Sequence, residues 1–203
     1  MRHFLLTVAG TAALAFGPSG PANAQQNKAV PPVSPQDLVL GAPEAKVTVI
    51  EYAALTCPHC AAFENDVFPQ IKKDFIDTGK IKFVFRDFPL NQLDIPAFRL
   101  ARCAGTAREF GFVQILFQSQ RNWATAKDPV AELKKIGRLG GIGEAEFDAC
   151  QADPKLQTAI MASLQGGTDA GVNSTPSFFV NGKLEVGEKT YESFAKLLTD
   201  AGA

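Results

Sequence analysis

Histidine is nearly missing from this chain of 203 residues: there are two, and one of them, His3, sits at the very start. Only four cysteines accompany them. A structural zinc site needs about four nitrogen or sulfur ligands. With His59 as the one internal histidine and no second close pair of cysteines, the chain cannot readily assemble such a site. An excess of charge is missing too: 20 basic residues meet 21 acidic ones, for a net charge of −1. That balance offers no electrostatic case for binding nucleic acid or an anionic membrane surface. No internal repeat occurs, and no apolar run reaches the roughly 20 residues that cross a bilayer.

What is present begins with an address. Arg2 and His3 make a short basic start, Phe4 to Phe16 is mostly apolar, and Pro18, Gly20 and Pro21 break any helix. Ala22-Asn23-Ala24 then fits the small-x-small pattern of a cleavage site. This is the layout of a secretory signal peptide over residues 1–24, cleaved near Ala24. A membrane anchor would need a longer run, and a lipid-anchored product would need a cysteine at the cleavage site. Removal leaves about 180 residues, enough for one domain with a proper core or one domain carrying an insertion. All four cysteines survive cleavage, into a compartment where disulfides persist.

Residues 25–40, with Pro31, Pro32 and Pro35, read as a flexible leader. Lys46 to Ala54 is rich in β-branched residues and too apolar for an exposed edge, so it is expected to be a central strand. Phe63, Val67, Ile71 and Phe75 recur every four residues, one face of a helix in which Pro69 should cause a kink. Gly79 stops that helix, and Lys80 to Phe88 is a second strand. From Asn91 to about Gly171 the pattern is helical. Gly105 and Gly111 are weak points in the stretch Ala97 to Phe117. Asp128-Pro129 and Asp153-Pro154 each pair a capping side chain with proline in the first helical turn. Ser177 to Val180 and Lys183 to Val186 flank Asn181-Gly182, a two-residue hairpin signal. Thr190 can cap a last helix that turns Tyr191, Phe194, Leu197 and Leu198 inward. The expected fold is therefore one α/β domain, residues 41–90 and 172–203, interrupted by an inserted helical domain, residues 91–171.

The chemistry concentrates in Cys57-Pro58-His59-Cys60, between the first strand and the helix. Two cysteines separated by two residues can close a small disulfide ring. At a helix N-terminus the first sulfur meets unpaired N–H groups and the positive end of the helix dipole, which favour thiolate over thiol. Pro58 suits the first turn, where its missing N–H costs nothing. His59 can add positive charge or an N–H donor near Cys57. A stabilised thiolate leaves easily, which makes the oxidised pair a stronger oxidant. Cys60, one turn in, is expected to be buried and to act as the resolving thiol. Haem attachment would require histidine directly after the second cysteine, where Ala61 stands. A purely structural disulfide rarely spans two residues at such a junction.

Cys103 and Cys150 remain, both in the helical stretch and too far apart in sequence for a second redox pair. In an oxidising compartment they either bond to each other or stay as two buried free thiols. Bonded, they would stabilise the fold by at most ~4 kcal/mol in the chain-entropy model.

From about Lys46 to Leu198 the sequence resembles the DsbA family of periplasmic disulfide oxidoreductases. The likeness rests on Cys57-Pro58-His59-Cys60 after a strand, the helical insertion, and Thr175-Pro176 before a strand. The resemblance implies a thioredoxin fold, Cys57 as nucleophile and Cys60 as resolving thiol. It also implies a cis peptide at Thr175-Pro176 packed beside the active disulfide, leaving the Thr175 backbone free to pair with a substrate strand. Family members carry a buried acid and a lysine beneath the active site, which points to Glu51 and Lys82 as a proton relay to Cys60; the alternative is that both side chains emerge into water. Some members also hold a second disulfide in the helical domain. The implied role is a monomeric periplasmic enzyme without cofactor or metal that donates its disulfide to newly exported proteins bearing free thiols. A membrane quinone-linked partner similar to DsbB would reoxidise it. Two other functions compete: a reductase or isomerase using the same cysteines, and a chaperone-like binder whose disulfide is merely structural.

Overall fold

The structure, a computed structural model, describes residue 1 and residues 29–203. The signal-peptide reading, beyond Met1, and the start of the leader lie outside the described residues. A five-stranded mixed sheet forms the centre: β1 (Leu38–Gly41), β2 (Val47–Ala53), β3 (Ile81–Asp87), β4 (Ser177–Val180) and β5 (Lys183–Val186), in spatial order β1-β3-β2-β4-β5. β2 and β3 run parallel, and the other pairs are antiparallel. The expected central strand is β2, with neighbours on both sides.

The leader ends earlier than its composition suggests. Leu38–Gly41 pairs with β3, and Leu38 is buried. Upstream of it, the Arg86 guanidinium donates to the Pro31 and Pro32 carbonyls and to both carboxylate oxygens of Asp37. Three prolines in the sequence read as looseness. In the fold those segments supply free carbonyls that a buried arginine collects.

Helical structure from Pro58 to Ile76 carries the face anticipated from its four-residue spacing, with Phe63, Val67, Ile71 and Phe75 buried. α1 (Pro58–Ala62) and α2 (Phe68–Ile71) are joined by a π turn, Phe63–Val67, and a second π turn, Lys72–Ile76, follows. The first sits immediately before Pro69, where the Phe68 N–H bonds to Phe63 O. Proline has no N–H for the carbonyl four residues back, so the expected kink takes the form of a widened turn.

The helical region contains α3 (Asp94–Cys103), α4 (Thr106–Gln118), α5 (Gln120–Ala124), α6 (Pro129–Leu139), α7 (Glu144–Ala152) and α8 (Pro154–Asp169); α9 (Tyr191–Asp200) closes the chain. Gly105, at φ 72°, separates α3 from α4, whereas Gly111 stays inside α4. Asp128 accepts from Ala131 N at 3.0 Å, Asp153 from Lys155 N at 2.8 Å and Thr190 from Ser193 N at 3.3 Å, so the three cap signals are realised. Asn181 and Gly182 take φ of 47° and 84° at the hairpin.

Strand alternation divides the core into two layers. Val47, Val49, Glu51 and Ala53 share one face with Phe83 and Phe85, covered by Phe63, Phe68 and Phe194. Ile50, Tyr52 and Val84 share the other, packed against Leu164, Ala170 and Val172. α8 comes so close there that a Cβ on Gly167 would stand 2.7 Å from the Tyr52 ring. The fold is thus the thioredoxin-like α/β arrangement with helices set into it, and the cysteine motif leaves the sheet at the C-terminal end of β2.

Candidate functional site

β2 ends at Ala53, and Cys57 N bonds back to Ala54 O at 3.1 Å, closing a tight turn. Cys57 has extended backbone (φ −78°, ψ 120°) and stands as the N-cap of α1, with Pro58 in the first turn. Both cysteines are reduced here; Cys57 is 6% exposed and Cys60 is sealed at 0%. Their ionisation is pulled in opposite directions. A hydrogen bond from the Cys60 thiol, the Thr175 side chain and the Cys60 and His59 backbone N–H groups together outweigh burial and bring the Cys57 thiol down to about 5. Burial, then the Cys57 sulfur and the charge of Glu51, push the Cys60 thiol far up.

The Thr175–Pro176 peptide is cis. It places the Thr175 carbonyl 3.4 Å from Cys57 Sγ, which donates to it as a thiol. Thr175 is 9% exposed and its Oγ1 has no hydrogen-bond partner in this state. Pro176 offers no N–H, and its carbonyl accepts from Gly187 N at 2.9 Å, tying this loop to the end of β5.

His59 reaches the sulfur through its backbone N–H and its charge, not through a hydrogen bond from the ring. Its imidazole turns outward, with the side chain 70% exposed, and Nδ1 lies 2.9 Å from Glu188 Oε2. The Glu188 hydrogen bond first, and the Cys57 charge second, raise its pKa. Toward the sulfur, His59 presents its backbone N–H.

The expected Glu51–Lys82 pair does not form. Glu51 stands opposite Phe85 and Lys82 opposite Thr48, an odd offset of three positions along β3, so the two project from opposite faces. Lys82 reaches toward Pro43 O at 3.5 Å in an exposed setting. Glu51 does enter the core, at 0% exposure, and its companion is Glu64, at 3%. Apart from each other, neither carboxyl has a hydrogen-bond partner. Burial raises Glu51 well above its ordinary value, reinforced by the Glu64 charge; burial likewise pushes Glu64 up to about 7. Two such groups in one dry space hold at least one proton between them.

Two further side chains went unread in the sequence. Gln120, at the start of α5, donates to Leu55 O at 2.8 Å and Cys57 O at 2.9 Å. Asp94, at the start of α3, accepts from Thr56 N at 2.7 Å, Thr56 Oγ1 at 3.0 Å and Leu90 N at 2.9 Å. Glu64 left a signal, four residues after Cys60 on a helix and so on its face; Gln120 and Asp94 left none, being distant in sequence from what they hold. Cys103, at the end of α3, is bonded to Cys150 of α7, Cα to Cα 5.9 Å.

This geometry can exchange disulfides: one thiol is slightly exposed and easily ionised, its partner is sealed below, and a buried carboxyl pair lies beside them. Comparison with known proteins agrees. The thioredoxin family model matches residues 33–200. A Rickettsia felis protein named "Putative protein-disulfide oxidoreductase" is 35% identical over 189 residues, covering 89% of this chain and 68% of that one. A Rickettsia bellii protein of the same name is 38% identical over 152 residues, 74% of this chain but only 59% of its own length, so the chain spans about six-tenths of that relative. The crystal structure of Wolbachia pipientis alpha-DsbA1 superposes with a TM-score of 0.78 at 31% identity, covering 83% of this chain and 92% of that one. The chain belongs to the thioredoxin family, in its DsbA-like branch.

Proposed function

We propose that this chain is an exported thiol-disulfide oxidoreductase that donates the Cys57–Cys60 disulfide to newly exported proteins. The observation that carries the proposal is the unequal placement of the two cysteines: Cys57 caps α1 beside the cis Thr175–Pro176 peptide while Cys60 is sealed below, so Cys57 comes down to about 5 and Cys60 is pushed up. A stable Cys57 thiolate favours the reduced enzyme, so electrons flow from substrate thiols to the enzyme rather than the reverse. The same preference argues against a reductase.

A substrate thiolate attacks Cys57 Sγ, the Cys57–Cys60 bond breaks, and Cys60 leaves as a thiolate. Its raised pKa makes it take a proton at once, and the Glu51–Glu64 pair stands ready with one. A second thiolate of the same substrate attacks the substrate sulfur of the mixed disulfide and expels Cys57 as its stabilised thiolate. Substrate loses two electrons and the enzyme gains them. Thr175 and Pro176 line the approach, with the Thr175 backbone available to an extended substrate strand. Lys82 has no part in the relay. A quinone-linked membrane protein similar to DsbB would return the pair to the disulfide, in the periplasm, with the enzyme acting as a monomer.

Replacing the resolving thiol tests the reading. Cys60→Ala should accumulate mixed disulfides with exported proteins through Cys57, visible on non-reducing gels, while Cys57→Ala should not. Equal trapping by Cys57→Ala would reverse the roles, and absence of trapped species from both would point to a binder.

A further inference from the structure

We propose that Gln120 is a positioning residue for the exchange site: from the helical region it holds the turn of residues 55–57 in the orientation that presents the α1 N–H groups to Cys57 Sγ. The inference rests on the redox reading above and extends it to a residue outside the thioredoxin-like sheet.

Gln120 is 7% exposed, and its side-chain nitrogen donates to Leu55 O at 2.8 Å and Cys57 O at 2.9 Å, both in buried surroundings. An amide nitrogen has two hydrogens, and each goes to one end of the turn. Cys57 O is also the acceptor of Ala61 N at 3.1 Å, the first helical bond after the cap. Fixing that carbonyl therefore fixes the direction of the first turn. Pro58 follows with no N–H, so the backbone share of the sulfur's support, beside that of the Cys60 thiol and the Thr175 side chain, comes from the N–H groups of His59 and Cys60. From the other side Asp94 grips Thr56 through its N–H and hydroxyl, at 2.7 and 3.0 Å. Side chains of two separate helices thus clamp one turn, and Gln120 is the one attached to Cys57 itself.

A cleft of about 420 Å³ runs beside this clamp, lined by Pro58, Asn65, Phe117, Gln120 and Arg121 among others. Gln120 itself lines that cleft, and Cys57 O keeps its bond from Ala61 N when the amide is lost. The fold then survives while the turn loses its fixed orientation. That separation of stability from tuning makes the proposal testable.

The experiment titrates Cys57 in the full reduced protein by alkylation rate against pH, for wild type, Gln120→Met, Gln120→Leu and the neighbouring control Arg121→Met, with equilibration in glutathione buffers alongside. Met keeps the length of Gln and removes the donor. Gln120→Met and Gln120→Leu are expected to weaken Cys57 ionisation by about tenfold, one pH unit upward, and to make the protein less oxidising in glutathione by a similar factor. Arg121→Met should match wild type. A merely structural role would lower the melting temperature and leave the titration midpoint in place, and that result overturns the proposal. Loss of the native spectrum in both Gln120 variants overturns it too, since the residue would then be bearing the fold. An ordinary Cys57 titration in wild type would bring down the redox reading and this proposal together. A depressed wild-type midpoint that neither Gln120 variant moves brings down this proposal alone.

Discussion

Glu51 on β2 and Glu64 on the redox helix share one buried space, and among the described residues neither carboxyl has a hydrogen-bond partner beyond the other. A native carboxyl raised to about 7 keeps a proton that the unfolded chain has released above about pH 4.3. The unfolded state then binds fewer protons than the native state, so stability falls as pH rises from about 4.5 to 7. Glu64→Gln removes the Glu64 share of that slope and gives Glu51 an amide donor. In the oxidised protein, where Cys57 does not titrate, the variant should therefore lose less stability than wild type between pH 5 and pH 8. The difference should be on the order of 1–3 kcal/mol, read from urea unfolding at the two pH values. An unchanged pH profile would show that the pair does not hold its proton.

Thr175 offers a cleaner substitution. Its Oγ1 is buried with no partner while Cys57 is a thiol that donates to the Thr175 carbonyl. Once the sulfur is ionised, that hydroxyl has an acceptor. Thr175→Val keeps the shape and removes the donor, so the reduced protein should fold normally with a Cys57 pKa raised by roughly one unit, since a hydrogen bond to a charged group contributes about 1.5–3 kcal/mol at most. Thiolate absorbance against pH measures it, and an unmoved midpoint would remove Thr175 from the thiolate's support.

His59 should matter less than its place between the cysteines suggests. Its imidazole is largely exposed and engaged by Glu188, and screening by water weakens its field at the sulfur. His59→Ser should raise the Cys57 pKa in the same titration, by less than Thr175→Val does. A larger shift would mean that the imidazole, rather than the backbone N–H, dominates.

Much of this architecture could be read from local pattern. The strand, motif, helix and strand at the start, the two Asp-Pro caps and the Asn-Gly hairpin are each set by neighbouring residues, and the structure repeats them. What the pattern missed depends on long-range pairing. Leu38–Gly41 is a strand only because β3 offers an edge to it. Lys82 looked like a relay partner by the resemblance to the DsbA family, but the β2–β3 register turned it to the other face. Gln120 acts on a turn 63 residues away, a distance over which no periodicity carries.

The Cys103–Cys150 bond should be separable from catalysis. It joins α3 to α7 in the helical region, away from the turn that holds Cys57. Replacing both cysteines with alanine should cost about 2–4 kcal/mol of stability, seen as a lower urea midpoint, while the rate of substrate thiol oxidation stays within a few-fold of wild type. A collapse of the rate with the fold intact would make this bond part of the redox machinery.

The central claim, that Cys57 drives disulfide donation through its stabilised thiolate, is tested most directly by comparing the stability of the reduced and oxidised proteins as a function of pH. Cys57 is depressed to about 5 in the folded reduced form against about 8.5 in an unfolded chain. Its contribution is therefore present in full above about 8.5, declines below that, and is lost as pH falls through 5. At pH 7 it should stabilise the reduced form relative to the oxidised one by about 2–3 kcal/mol, and this advantage should shrink steadily toward pH 5. Equilibrium urea unfolding of both forms across that range is predicted to show the reduced protein as the more stable at pH 7. An oxidised protein that is the more stable at pH 7, with a difference that does not change with pH, would contradict the account.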